Sequence, residues 1–225
     1  MKKFELTAEF VTNIFGKKLF RIKALVAFGD VEKGELGGFI EKEDNLSHDG
    51  NAWVSGDAWV SGNARVSGNA WVYGNAAVSG NAWVYGNAAV SGNAWVSGNA
   101  WVSGDAWVSG NAWVYGNAWV YGDARVSGNA AVSGDAWVSG NAAVSGDAWV
   151  SGDADYAVIK GFGRYFRATT FFRCKDKILR VQCGCFYGDL AQFRKIVKET
   201  HGDSKRAKEY LTIADLMELH FAEEA

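Results

Sequence analysis

Between residues 51 and 152 the chain repeats one six-residue pattern seventeen times without insertion: Asn or Asp, Ala, a variable residue, Val, Ser or Tyr, Gly. Self-similarity at a fixed short period marks a solenoid, where each repeat buries its apolar side only by stacking on the next. Ala and Val stand two apart, so on a strand they point to one side and the variable residue to the other. That variable position holds Trp eleven times, Ala at 77, 89, 131 and 143, and Arg at 65 and 125. A close-packed interior cannot exchange such different volumes. The pattern therefore predicts short strands with Ala and Val inward and Trp outward. Gly followed by Asn or Asp supplies the left-handed backbone that a tight corner needs.

The run Val-x-Gly-Asn-Ala-x is similar to the hexapeptide motif of left-handed parallel β-helices, in which an aliphatic and a small residue fill a triangular prism. The resemblance implies three hexads per turn and a left-handed coil. Residues eighteen apart would then stack about 4.8 Å apart, and the seventeen hexads would make nearly six turns. Stacking by eighteen sorts the outward positions into three faces. The first carries Trp53, Trp71, Ala89, Trp107, Arg125 and Ala143, and the second Trp59, Ala77, Trp95, Trp113, Ala131 and Trp149. The third carries Arg65, Trp83, Trp101, Trp119, Trp137 and Asp155, and it alone places four tryptophans on consecutive turns, with Tyr85 and Tyr121 beside them.

The segments on either side follow other rules. Phe4, Leu6 and Ala8 alternate, as do Phe20, Ile22, Ala24 and Val26, around a turn at 13–18; this is a β-hairpin pattern and reads as a cap. Ile40 and Leu46 are in hexad phase with Ala52, so the coil is expected to begin with an imperfect turn whose larger side chains plug its open end. After Gly152 the pattern decays into an α+β unit. It comprises a hairpin from Tyr165 to Cys185 around Lys175-Asp176-Lys177, a helix capped by Asp189 with Gln192 three residues on and ending at Gly202, and a second helix from about Ser204 to Phe221. The predicted organisation is an N-terminal β cap (1–49), a hexapeptide-repeat β-helix (50–155) and a C-terminal α+β unit (156–225), an all-β dominated protein.

Two further motifs flank the repeat: Phe28-Gly29-Asp30-Val31 with Gly37-Gly38-Phe39-Ile40 before it, and Cys183-Gly184-Cys185-Phe186-Tyr187-Gly188 after it. With these the whole chain resembles a family of uncharacterised proteins from gut bacteria and their prophages, whose members are labelled by the repeat alone as polymer-forming or transferase-like. Fold does not fix function, so those labels imply little about activity.

Charge and composition narrow the chemistry. The formal net charge is -2, with 23 Lys and Arg against 25 Asp and Glu, and this balance gives nucleic acid or an anionic membrane no overall attraction. The start of the chain lacks the apolar core of a signal peptide and no stretch approaches a membrane span, so a cytoplasmic location is expected. The repeat holds seven Asp and two Arg between 51 and 155, with every Asp up to 153 at a corner, where asparagine is expected to serve equally well. The repeat carries neither the histidine nor the inserted loop that acyltransferases of the hexapeptide superfamily use, nor histidines on adjacent turns for a metal. No catalytic residue, metal ligand or cofactor is assigned. Cys174, Cys183 and Cys185, with His201 and His220, lack the usual zinc spacing and read as reduced, buried structural thiols. His48 reads as a capping or surface residue. Gly37-Gly38 and Gly161-Phe162-Gly163 read as turns in preference to phosphate loops. Lys160, Arg164, Arg167 and Arg173 interleave with Phe162, Tyr165, Phe166, Phe171 and Phe172; a nucleic-acid platform is conceivable there, and a half-buried sheet fits better.

The tryptophan rows remain. Contiguous exposed aromatic surface marks an interaction site, although duplication of one Trp-bearing hexad would produce such rows without selection. The expectation is a non-enzymatic scaffold whose contact surface is Trp83, Trp101, Trp119, Trp137, Tyr85 and Tyr121, for a second copy of the chain or a protein partner. The alternatives are a module that captures a glycan or nucleotide-like molecule and, third, an acyltransferase-like enzyme.

Overall fold

The computed structural model describes residues 1–163 and 165–222. Strands β1 (Phe4–Thr12) and β2 (Lys18–Ala24) form the N-terminal hairpin, and β3 (Leu36–Ile40) follows. Seventeen two-residue rungs, β4 to β20, then run from Trp53–Val54 to Trp149–Val150. The rungs pair in parallel with those eighteen residues away, Trp53 with Trp71, Trp101 with Trp119 and Ala131 with Trp149, and they form three parallel faces about six turns long. Every Ala and Val of the hexads from Ala52 to Val150 at the two inward positions is buried in one continuous core. The inward register follows from the pleat: with a period of two, a slip by one residue would bring tryptophans into a prism that holds only Ala and Val. The corners need glycine. At Gly104 φ is +69°, and a methyl group there would lie 2.9 Å from the backbone nitrogen of Gly122 on the next turn, so both conformation and space exclude a side chain.

Backbone polarity decides how each end is closed. N–H groups of one turn donate to carbonyls of the next, as from Trp53 to Ala70 at 3.0 Å. The N-terminal end therefore presents carbonyls and requires donors, while the C-terminal end presents N–H groups and requires acceptors. At the N-terminal end Lys3 Nζ donates to Ala52 O (2.8 Å), and Asn45 Nδ2 donates to Gly62 O and Ala64 O (3.1 and 2.8 Å). At the C-terminal end Asp153 accepts from Trp137 N (2.8 Å), Asp155 from Ser151 N and Gly152 N (2.9 and 3.1 Å), and Thr170 Oγ1 from Ala143 N (2.9 Å). Asp155, placed by the repeat at the head of the third face, thus leaves that row and serves as an end cap in a short 3-10 turn.

Apolar plugs accompany these caps. Phe4, Ile22, Val31, Ile40 and Leu46 join the N-terminal end of the core. Ile40 and Leu46 align with Val60 and Val66, twenty residues on. They fill valine slots and not the alanine slots that their spacing from Ala52 suggested, because the segment between Leu46 and Val54 is two residues longer than a hexad. Gly37 and Gly38 lie in β3, not in a turn. A methyl at Gly37 would sit 2.5 Å from Ile22 and 2.6 Å from Trp53, and one at Gly38 2.5 Å from Ala58 O; bare backbone is what lets this strand press against the first rungs.

Beyond the rod, β21 (Tyr156–Phe162), β22 (Arg167–Arg173), β23 (Leu179–Cys183) and β24 (Phe186–Asp189) make one antiparallel sheet, backed by α1 (Leu190–His201) and α2 (Lys205–His220). Asp189 and Gln192 cap α1 reciprocally, as the sequence predicts, and Ser204 caps α2. The outer strands β21 and β24 add to the predicted central hairpin. Alternation along β22 sends Phe172 into the rod's core and Phe171 into the core under the helices. Both are fully buried, so the aromatic platform contracts to the exposed Phe162, Tyr165 and Phe166. Arg173 donates to Phe221 O and Lys160 to Asn141; Arg164 lies outside the described residues.

Lys3 gives this closure a pH dependence. Its side chain lies 4.6 Å from the Phe28 ring, and burial pulls its pKa down to about 8, with Asp49 opposing. A lysine with a folded pKa below its unfolded value of ~10.4 penalises the fold while charged. That penalty is complete below about pH 8 and is relieved as pH rises from about 8 toward ~10.4. In thermal melts the advantage of wild type over Lys3→Met is expected to widen from pH 7 to pH 10; a narrowing gap would contradict this.

Candidate aromatic interface

On the third face three parallel ladders of equal register join the four tryptophan rungs, so the indoles are held one turn apart. Trp101 and Trp119 stack at 4.7 Å with planes 8° apart, and Trp119 and Trp137 at 5.1 Å and 9°. Trp83 meets Trp101 edge-on at 5.4 Å, and Tyr85 lies 5.4 Å from Trp83 and 6.1 Å from Trp101. Tyr121 flanks the other end, in a shallow hollow with Trp137, Ser139 and Tyr156; the Tyr156 hydroxyl donates to Trp137 O. All six side chains named from the sequence therefore belong to one surface. Its inner members Trp101 and Trp119 stack their ring faces on neighbours, while the end members Trp83 and Trp137 are 36% and 47% exposed. Such a row is a self-stacked, partly exposed aromatic surface.

The other faces differ in ways the repeat did not show. Trp53, outward by register, is 1% exposed. Phe28 packs edge-on against it at 5.4 Å and β3 closes over it, so it is a core residue of the junction and not a surface one. On the second face Trp59 and Trp95 meet at 6.1 Å across Ala77, Phe15 of the hairpin tip approaches Trp95 at 6.2 Å, and Trp95 leans on Trp113 at 5.5 Å. Arg125 lies 5.9 Å from the Trp107 ring on the first face.

The corners carry a second, polar ladder. Asn63, Asn81 and Asn99 each donate Nδ2 to the side chain eighteen residues on. Aspartate cannot donate, and Asp105, Asp135 and Asp147 accordingly stand as acceptors from Asn87, Asn117 and Asn129. At Asp123 the direction reverses, with Asn141 donating to it at 3.2 Å; an asparagine, which can accept as well as donate, would fit each of these acceptor corners too.

The candidate chemical groups lie apart. His48 accepts from Lys3 N at Nδ1 (3.1 Å), reaches Glu43 at 2.7 Å and stacks on Phe4 at 4.3 Å, tying the N-terminus to the first turn. Cys174 is buried, and burial pushes its thiol pKa up. Cys183 accepts from Thr169 Oγ1 at 3.2 Å, whereas Cys185 is exposed, so only part of the cysteine set is a core feature. Cys183, Cys185, Arg167, His201 and Tyr210 line a cleft of about 520 Å³ between the sheet and the helices. Desolvation there pushes the Tyr210 hydroxyl up to about 12. Among the described residues no group of three His, Cys, Asp or Glu side chains could hold a metal ion, and no helix is long and apolar enough to cross a membrane.

Fold and repeat together define a parallel β-solenoid repeat protein. The family described as YdcK Beta solenoid repeat matches the chain at residues 58–74, 70–86, 82–98, 106–122 and 124–140, all within the rod. No curated protein matches the chain.

Proposed function

We propose that the protein is a non-enzymatic scaffold that associates with a second copy of itself through the third aromatic face. The observation that carries this reading is the contrast between closed ends and open flanks. Both ends of the coil carry side-chain caps on backbone groups and have their core plugged, which opposes the edge-to-edge stacking by which bare solenoid ends would polymerise. The apolar surface that the rod itself leaves exposed is lateral, and the row from Trp83 to Trp137 with Tyr85 and Tyr121 is its most regular part. A two-fold pairing of this face would bring the same row against itself, the self-complementary arrangement of most homodimers, and would bury aromatic side chains of the kind that dominate binding energy. The coil's left hand and a kinship with the prophage family that the flanking motifs resemble belong to this reading, supported by the three-hexad turn. So does a cytoplasmic location.

Cross-linking tests the orientation. With Cys185 replaced by serine, Ser103→Cys beside Trp101 should give a cross-linked dimer with a short bis-maleimide, and Ser109→Cys on the first face should not. Cross-linking at Ser109 alone, or at neither, would reject the third face.

A further inference from the structure

Three alanines each stand between two tryptophans of their own face: Ala77 between Trp59 and Trp95 on the second face, Ala89 between Trp71 and Trp107 on the first, and Ala131 between Trp113 and Trp149 on the second. At the first two the later indole folds back over the alanine and donates to the serine beside it, Trp95 to Ser79 at 3.2 Å and Trp107 to Ser91 at 3.1 Å. At Ala131 the sequence is the same, with Ser133 in the matching place, yet among the described residues the Trp149 indole makes no such bond. Here a cleft of about 640 Å³ opens instead, walled by Trp113 and Trp149, floored by Ala131 and rimmed by Asn111, Tyr115, Asn129 and the hairpin turn at Lys175 and Asp176. Its two indoles are 52% and 41% exposed. Lys175 Nζ lies over the Trp149 ring at 5.8 Å.

The third face shows what such a gap would hold. Trp119 fills the interval between Trp101 and Trp137 at 4.7 and 5.1 Å, the separation at which aromatic rings attract. Ala131 occupies the corresponding place between Trp113 and Trp149 in the ladder, so the row lacks one ring there. We infer that this cleft binds a single planar heteroaromatic ring of nucleobase type, which would complete the interrupted ladder. The rim suits such a ring: Asn111 and Asn129 each spend one amide hydrogen on the corner ladder, on Asn129 and Asp147, and keep a second to donate, the Tyr115 hydroxyl can donate and accept, Asp147 adds an acceptor to the lining, and Asp176 is engaged by Arg180 at 2.7 Å. Lys175 at the mouth would meet an attached phosphate. The site lies on a different face from the proposed self-association row and stands independently of it.

Adenosine is the probe, with cellobiose as the sugar control, followed by saturation-transfer NMR and titration on the full chain. Adenosine should bind wild type, bind Trp113→Ala and Trp149→Ala about tenfold more weakly or worse, and fail to bind Ala131→Trp, in which the protein's own indole fills the gap. Trp137→Ser on the third face should leave binding unchanged. Should Trp149→Ala disturb the fold, Ala131→Trp and Trp137→Ser still decide the matter. Absence of adenosine binding in wild type, binding that survives Ala131→Trp, or binding of cellobiose alone would overturn the assignment.

Discussion

Val102→Asp is expected to lower the unfolding free energy by about 4 kcal/mol or more, a large part of a typical domain's 5–15 kcal/mol. Val102 is fully buried at mid-rod, between Val84 and Val120 of the neighbouring turns. A carboxylate there would lose its hydration and gain no partner among alanines and valines. Because a solenoid turn contacts only its neighbours, the charge would also uncouple the two halves of the rod. Urea unfolding should show an earlier transition that splits in two, and hydrogen exchange should rise on both sides of the substituted turn. An unaltered midpoint would mean that Val102 faces outward.

Trp53→Ala is expected to cost about 3–5 kcal/mol, as deletion of a large buried aromatic does. The same change at Trp113, which is half exposed, should stay within about 0.5 kcal/mol. Trp53 Nε1 is buried without a hydrogen-bond partner among the described residues, so the loss comes from packing against Phe28, Gly37 and Ile22 and not from a polar bond. Trp53→Phe should recover part of the stability, since it removes the orphan donor and keeps most of the ring. Equal effects at Trp53 and Trp113 in chemical denaturation would contradict the closure of β3 over the first rung.

The two tryptophans share one hexad pattern, and this marks where the sequence stops being legible. The pleat rule reads side-chain direction from spacing alone, and every inward Ala and Val position of the rod obeys it. What covers an outward side chain depends on segments distant in sequence, so the burial of Trp53 under β3 and of Phe172 against the rod's end lay outside any local pattern. The one available signal was the paired Gly37-Gly38, whose missing side chains permit that close approach. Helices α1 and α2 were readable because capping and 3.6-residue periodicity are local, whereas β21 and β24 join their sheet only through tertiary pairing. The four-tryptophan row was legible because eighteen-residue stacking is arithmetic. The stacking of its rings on each other, the different state of the Ala131 gap and the acceptor role of Asp in the amide ladders were not, since they depend on rotamers and on hydrogen-bond direction.

Lateral pairing through the third face is tested most directly by the solution mass of two proteins, wild type and the variant with Trp83, Trp101, Trp119 and Trp137 all replaced by serine. The chain weighs 24.3 kDa. Light scattering is expected to give a multiple of that mass for wild type and the single-chain mass for the variant, with the two circular-dichroism spectra alike outside the aromatic region. A variant that keeps the wild-type mass, or a wild type that is already a single chain at every concentration, would contradict the account.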